Sequence, residues 1–173
     1  MSQHGHLARS CPEPELASPA DAPQILGLRG ALENWLTSRG IQQWNPGEVN
    51  LSDLRAQLVR HEWYVLRAGI DLAGALRILW SDEPVWQDQN TFAAYVHGLM
   101  VHRAHAGHDV GAHLLRWAGQ RGRRAGAREL RLDCAESNDS LRAYYARQGF
   151  TEVGRRDFGG DLYSAVLLTK PLT

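Results

Sequence analysis

Residues 95–115 read YVHGLMVHRAHAGHDVGAHLL. An apolar run, Tyr95 to Val101, passes into a short polar loop, which closes on Gly111 and opens an apolar-periodic stretch. That order predicts a strand handing over to a helix through a glycine-bearing turn. The first N–H groups of a helix have no partner within it, and the helix dipole adds partial positive charge at the same end. The stretch therefore predicts an anion site built without any charged side chain, suited to phosphate or carboxylate.

Upstream, residues 92–101 form the full strand, preceded by a polar loop over 81–91. Two earlier strands, WYVLR at 63–67 and AGALRILW at 73–80, flank a turn around Gly69 and Asp71. Asn50 caps a helix with Asp53 at its third position and Leu54 and Leu58 inward. A loop over 41–49 contains the Pro46-Gly47 turn. Before it, a helix carries Ile25, Leu28, Leu32, Trp35 and Leu36 on one side. Asp21 is its expected N-cap, Gln24 the capping-box partner, and Gly40 its end. Residues 1–20 are low in apolar content and hold Pro12, Pro14 and Pro19, which predicts a disordered tail.

Downstream, a helix runs from Val110 to about Arg123, and Gly126 marks its end. ELRLDC at 129–134 alternates Leu130 and Leu132 with polar neighbours and reads as a half-buried strand. Asn138 caps a further helix that Gly149 stops. Strands over 150–157 and 163–169 follow, joined through Gly159-Gly160. The order is helix, helix, three strands, helix, strand, helix, two strands. It predicts one α/β (α+β) domain over 21–173, with a mixed sheet covered by helices.

Composition narrows the function. The 173 residues carry 19 basic and 19 acidic side chains, so no net field draws the chain to nucleic acid. No apolar run approaches membrane-spanning length, and the first residues lack the basic-then-apolar order expected of a signal peptide. Cys11 and Cys134 stand in unlike contexts, which argues against a disulfide framework and for a reducing cytoplasm. Four histidines (His102, His105, His108 and His113) crowd the turn, but their spacing matches no dedicated zinc site, and no metal is expected. Cys134 reads as a buried thiol.

Two segments resemble the GNAT superfamily of acetyl-CoA-dependent N-acetyltransferases. Residues 99–115 are similar to its strand, acyl-CoA pyrophosphate loop and helix. ESNDSLRAYYARQGF, 136–150, is similar to its second signature, with Asn138, Tyr145, Gly149 and Phe150 in their places. The resemblance spans about residues 22–168. It implies a mostly antiparallel central sheet with helices on both faces, and acetyl-CoA as cosubstrate. The loop departs from the family pattern R/Q-G-x-G-x-G/A: Ala106 stands for the Arg or Gln, and Asp109 takes a glycine's place. Gly107, His108, Val110 and Gly111 are expected to cradle the pyrophosphate through backbone N–H groups, and Ala112 completes the helix start. An inward carboxylate would repel phosphate, so Asp109 is expected to point outward or to cap the helix.

The resemblance implies further roles. The pantetheine arm would pair with backbone at Leu99, Met100 and Val101. Tyr145 would sit near the sulfur as general acid, with packing as its plainer role and Tyr144 as a packing neighbour. Asn138 would bond CoA, cap its helix, or both. His97 stands where some relatives carry a glutamate base; it reads either as the base or as a satisfied core histidine. Glu136 and Tyr95 are weaker candidates for the base or a water relay. Trp44, Trp80 and Trp86, with Glu48, Asp82, Glu83, Asp88 and Asp157, fall in loops expected to build the acceptor side. The expected reaction is acetylation of a primary amine on a small molecule by direct attack in a ternary complex. A protein or aminoacyl-tRNA acceptor and a non-catalytic CoA-binding module are the alternatives. A homodimer is also expected from exposed edge strands.

Overall fold

A computed structural model describes residues 12–88, 90–160 and 164–173. The elements are β1 (Glu15–Leu16), α1 (Ala22–Ser38), α2 (Leu51–Val59), β2 (Trp63–Ala68) and β3 (Asp71–Leu79). They continue as β4 (Ala93–Val101), α3 (Val110–Arg124), β5 (Glu129–Ala135), α4 (Asp139–Arg147), β6 (Thr151–Arg156) and β7 (Ala165–Pro171). One sheet holds all the strands in the order β1-β2-β3-β4-β5-β7-β6, with β4 and β5 parallel and every other pair antiparallel. This is the expected mixed, mostly antiparallel sheet.

Helices cover both faces. Val110, Leu114, Leu115 and Ala118 of α3 and Tyr145 of α4 pack with Leu130, Leu132 and Cys134 on one side. Ile25, Leu28 and Leu32 of α1 and Leu54 and Leu58 of α2 pack with Val65, Ala75 and Met100 on the other. Leu54 and Leu114 are wholly buried, and each such side chain contributes about 2 kcal/mol. No helix among the described residues is long and apolar enough to cross a membrane.

The capping logic holds at α2, where the Asn50 side chain accepts the Asp53 N–H, and at Gly40, Gly126 and Gly149, all at positive φ. At α1, Asp21 is the N-cap as expected. The capping box is Ser18 with Asp21, around the 3-10 turn Pro19–Asp21 that precedes α1, and the Gln24 side chain instead donates to the Ile70 carbonyl. The expected tail also needs correction. Residues 1–11, Cys11 among them, lie outside the described residues, but Glu15–Leu16 pairs with β2, and Ala17 is buried. Arg67 holds this edge strand by bonding both Glu15 and Asp21.

One irregularity positions the site. Arg77 pairs with His97 while Ala75 pairs with Met100, so β4 carries one residue more than β3 across that interval. A bulge bends its strand and re-aims the side chains that follow. Gly98 sits in it at φ +55°, where an added Cβ would lie 2.7 Å from the Trp63 ring, so no side chain fits. On the other edge, pairing with β5 stops at Tyr95 and Arg131. Beyond that point β4 and β5 diverge.

Candidate active site

A cavity of about 760 Å³ opens where β4 and β5 part. Strand alternation assigns its walls. Ala94, Val96, Leu130, Leu132 and Cys134 face α3 and α4, so His97 and Asp133 face the α1 and α2 side. Tyr145 reaches the cavity from α4, on the opposite face. The opening thus runs through the sheet, with His97 and Asp133 on one side and Tyr145 on the other. Trp35, Trp44 and Phe158 line its outer part.

His97 Nε2 lies 2.9 Å from Asp82 Oδ2, with the His97 side chain 25% exposed and Asp82 buried in the loop after β3. A carboxylate partner favours the Nε2–H tautomer and leaves Nδ1 free to accept a proton. Asp133 joins the pair: one atom from each of the three side chains lies within 4.8 Å of the others. Burial pushes the Asp133 carboxyl up; His97 opposes the rise, and the Asp82 and Glu48 charges add to it. Neither Asp133 nor the Asp82–His97 pairing was legible in the sequence. The one available signal was a charge at an alternate position of β5, a strand read as half-buried. The structure corrects that reading: Arg131 is buried too, bonded to Glu129, Asp88 and the Tyr95 hydroxyl.

Tyr145 is buried against Tyr144, Phe150 and Cys134. Burial above all, then Cys134, Tyr144 and Asp133, raise its phenol pKa, so the hydroxyl stays protonated. Tyr144 is more than packing. It lines the cavity, and a Cβ on Gly111 would come 2.6 Å from its hydroxyl. Asn138 caps α4 through Leu141 N–H, and its amide donates to Gln43 Oε1. Gln43 also accepts from Ala135 N–H and ties the 41–49 loop to the cavity floor.

In the turn after β4, Asp109 adopts φ +58°, a conformation that glycine takes most easily and that Asp and Asn tolerate better than most other side chains. It is exposed and makes no side-chain cap, so it points outward as expected but does not cap α3. Val110, Gly111 and Ala112 open the helix, and their N–H groups have no helical acceptor. The His108 N–H donates to the His105 carbonyl at 3.3 Å, so this expected donor is engaged within the turn. Ala106 and Gly107 complete the turn. Leu99 and Val101 line the cavity, while Met100 turns into the α1–α2 core.

Other candidates sit elsewhere. Glu136 pairs with Arg155, and Tyr95 packs under Trp86; neither lines the cavity. Of the loop carboxylates, Glu48 and Asp82 reach the site, Asp88 pairs with Arg131, Asp157 lies near Arg155, and Glu83 is exposed. Trp44 lines the cavity, Trp86 is buried beside Tyr95, and Trp80 stacks outside on Phe92.

The family model described as "Acetyltransferase (GNAT) family" matches residues 30–150. The chain is 30% identical over 152 residues to the uncharacterized N-acetyltransferase YesJ of Bacillus subtilis (strain 168), covering 83% of each protein. It superposes on a GNAT-family acetyltransferase from Listeria monocytogenes 4b F2365 with a TM-score of 0.77 and 27% identity, covering 92% of this chain and 94% of that one. The fold is shared with yncA of Salmonella typhimurium, a putative acetyltransferase solved with its cofactor acetyl-CoA (TM-score 0.68, 17% identity, covering 93% and 94%). The chain belongs to the GNAT acetyltransferase family.

Proposed function

We propose that this GNAT-family member is an acetyl-CoA-dependent N-acetyltransferase whose acceptor is a primary amine on a small molecule, attacked directly in a ternary complex. The observation that carries the reading is the opening between β4 and β5, reached by His97 from one face and Tyr145 from the other. The residues present fit acetyl-CoA. The N–H groups of Val110, Gly111 and Ala112 suit a pyrophosphate, with Ala106, Gly107, His108 and Asp109 shaping the turn. The β5-facing edge of residues 96–101 has no strand partner on β5. It suits the amides of a pantetheine arm at Leu99, Met100 and Val101. Asn138, held by Gln43, borders the same channel.

Bound there, acetyl-CoA supplies an acetyl thioester at the opening. His97 Nδ1 takes the proton that the attacking amine must lose, while Asp82 holds the ring. Backbone N–H groups on the open edge of β4 donate to the carbonyl oxygen as charge builds there. Tyr145 holds the proton that the departing sulfur needs. A cavity of about 760 Å³ has the size of small-molecule sites. The absence of net charge speaks against tRNA. The same reading places the protein in the cytoplasm, and the exposed edge strand β6 suits a homodimer contact.

The test is CoA thiol release over a panel of small primary amines, with mass measurement of the products. The reading expects one acetylated amine per CoA released. Tight acetyl-CoA binding without release would favour a non-catalytic CoA-binding module, and acetylation confined to peptides would favour a protein acceptor.

A further inference from the structure

Asp133 has no role in the chemistry above, yet it stands at its centre. In the β4–β5 register it lies across from His97, just past the last paired residues, Tyr95 and Arg131. Its carboxylate shares a 4.8 Å cluster with Asp82 and His97. The neighbouring arginines are committed elsewhere. Arg29 binds Glu33 and Glu48, Arg77 binds Glu62, and Arg131 binds Glu129 and Asp88. Asp133 lines the cavity beside the His97 imidazole, with the buried Asp82 carboxylate in the same 4.8 Å cluster. A desolvated carboxylate without a counter-charge is costly, and an incoming cation relieves that cost.

The rest of the cavity wall is largely apolar and aromatic. Trp35 and Trp44 each already carry a guanidinium over the ring, Arg103 and Arg29 respectively, both at 4.0 Å. Leu32, Leu36, Ile41 and Phe158 supply apolar wall. One positive charge is welcome at depth; farther out Arg29 is already neutralised by Glu33 and Glu48, so of these two guanidiniums it is Arg103 that a second charge would meet.

From this polarity we infer that Asp133 anchors the acceptor's ammonium, and that the acceptor is a monoamine carried on an apolar or aromatic body rather than a polyamine. The inference rests on the acetyltransferase reading for the fate of the bound amine. An N–H bond of the ammonium breaks, the proton passes to His97, and the neutral amine remains beside the opening. Asp133 fixes which molecules present an amine there; His97 removes the proton.

The test separates binding from turnover. Phenethylamine, 2-phenylethanol and 1,4-diaminobutane are titrated calorimetrically at pH 7 into the full chain saturated with CoA. The account expects phenethylamine to bind at least about 10-fold more tightly than either of the others. Asp133→Asn, nearly isosteric, should weaken phenethylamine by about 30-fold and leave 2-phenylethanol and acetyl-CoA affinities unchanged. Asp133→Glu should restore part of the loss. Equal binding of amine and alcohol in the wild type, tighter binding of diaminobutane, or a preference that survives Asp133→Asn in a chain with unchanged circular dichroism would overturn the inference. If no amine is acetylated but the charge preference holds and depends on Asp133, the transfer reading fails and the ammonium subsite stands.

Discussion

The His97 Nε2 and the Asp82 Oδ2 lie 2.9 Å apart, and that bond joins the middle of a strand to a buried position in the loop fifteen residues before it. A loop carboxylate thereby fixes the orientation of a ring facing the reaction cavity. Asp82 is a positioning residue, so its loss should fall on kcat. Asp82→Ala is expected to lower kcat by about 10- to 100-fold while the acetyl-CoA dissociation constant stays put. Steady-state kinetics paired with calorimetry check this; an effect confined to acetyl-CoA binding would contradict the role.

Tyr145 is expected to act through its hydroxyl alone. Tyr145→Phe keeps the ring that packs on Phe150, so stability should change little. The kcat should fall by about 100-fold or more. Because burial holds the wild-type phenol well above its usual range, kcat corrected for uncatalysed thioester hydrolysis should show no descending limb up to about pH 10. A limb starting near pH 8 would point to a different acid.

Asp109 holds a backbone conformation that costs a residue with a side chain about 1 kcal/mol relative to glycine. Asp109→Gly should therefore raise the melting temperature by about 2–4 °C. It also removes a negative charge from the mouth of the anion site, which should tighten acetyl-CoA binding by roughly 2- to 5-fold at low salt. High salt should erase most of the affinity gain and leave the stability gain. Thermal melts and calorimetry at two ionic strengths separate the two effects.

Asp133 links the site to stability. Its carboxyl sits above the usual range, through burial first, with Asp82 and Glu48 adding and His97 opposing. A raised value in the folded state means that ionisation destabilises the fold. The cost is absent below the unfolded value, about 3.9, and is complete above the folded one. Asp133→Asn should thus melt higher than wild type at pH 7.5, and the difference should shrink as the pH falls toward 4. A variant that melts lower at neutral pH would mean that Asp133 is paired in the folded state.

Cys134 should be inert while the chain is folded. Burial, and then the Asp133 charge, push its thiol up to about 12, against a small opposing pull from Arg142. Iodoacetamide at pH 8 should leave the Cys134 peptide unmodified in native protein and alkylate it in denaturant. Peptide mapping reads the outcome directly.

What the sequence revealed was local. Asn50 with Asp53, Gly126 after α3, and Asn138 and Gly149 around α4 each lie within a few residues of what they organise, so periodicity and caps found them; the signature through Phe150 came from the family resemblance. Glu15–Leu16 was missed because a two-residue edge strand in a proline-bearing segment draws its stability from β2 and Arg67, far along the chain. Asp21 is the N-cap of α1 as read, but the capping box was misplaced because Ser18–Asp21 and Asp21–Gln24 offer the same spacing, and only the turn geometry chooses between them. The cavity behaves likewise. Tyr145 carried a motif, whereas Asp82, Asp133 and Gln43 meet His97 and Asn138 only through the tertiary fold, near the place where β4 and β5 stop pairing.

The most direct measurement is the turnover of His97→Gln beside wild type, by CoA release on an accepted amine, with acetyl-CoA affinity measured on the same samples. Glutamine keeps a donor for Asp82 but cannot take a proton. The account predicts unchanged acetyl-CoA affinity and a kcat lower by about 100- to 10,000-fold. A kcat within threefold of wild type would contradict the assignment of the amine's proton to His97.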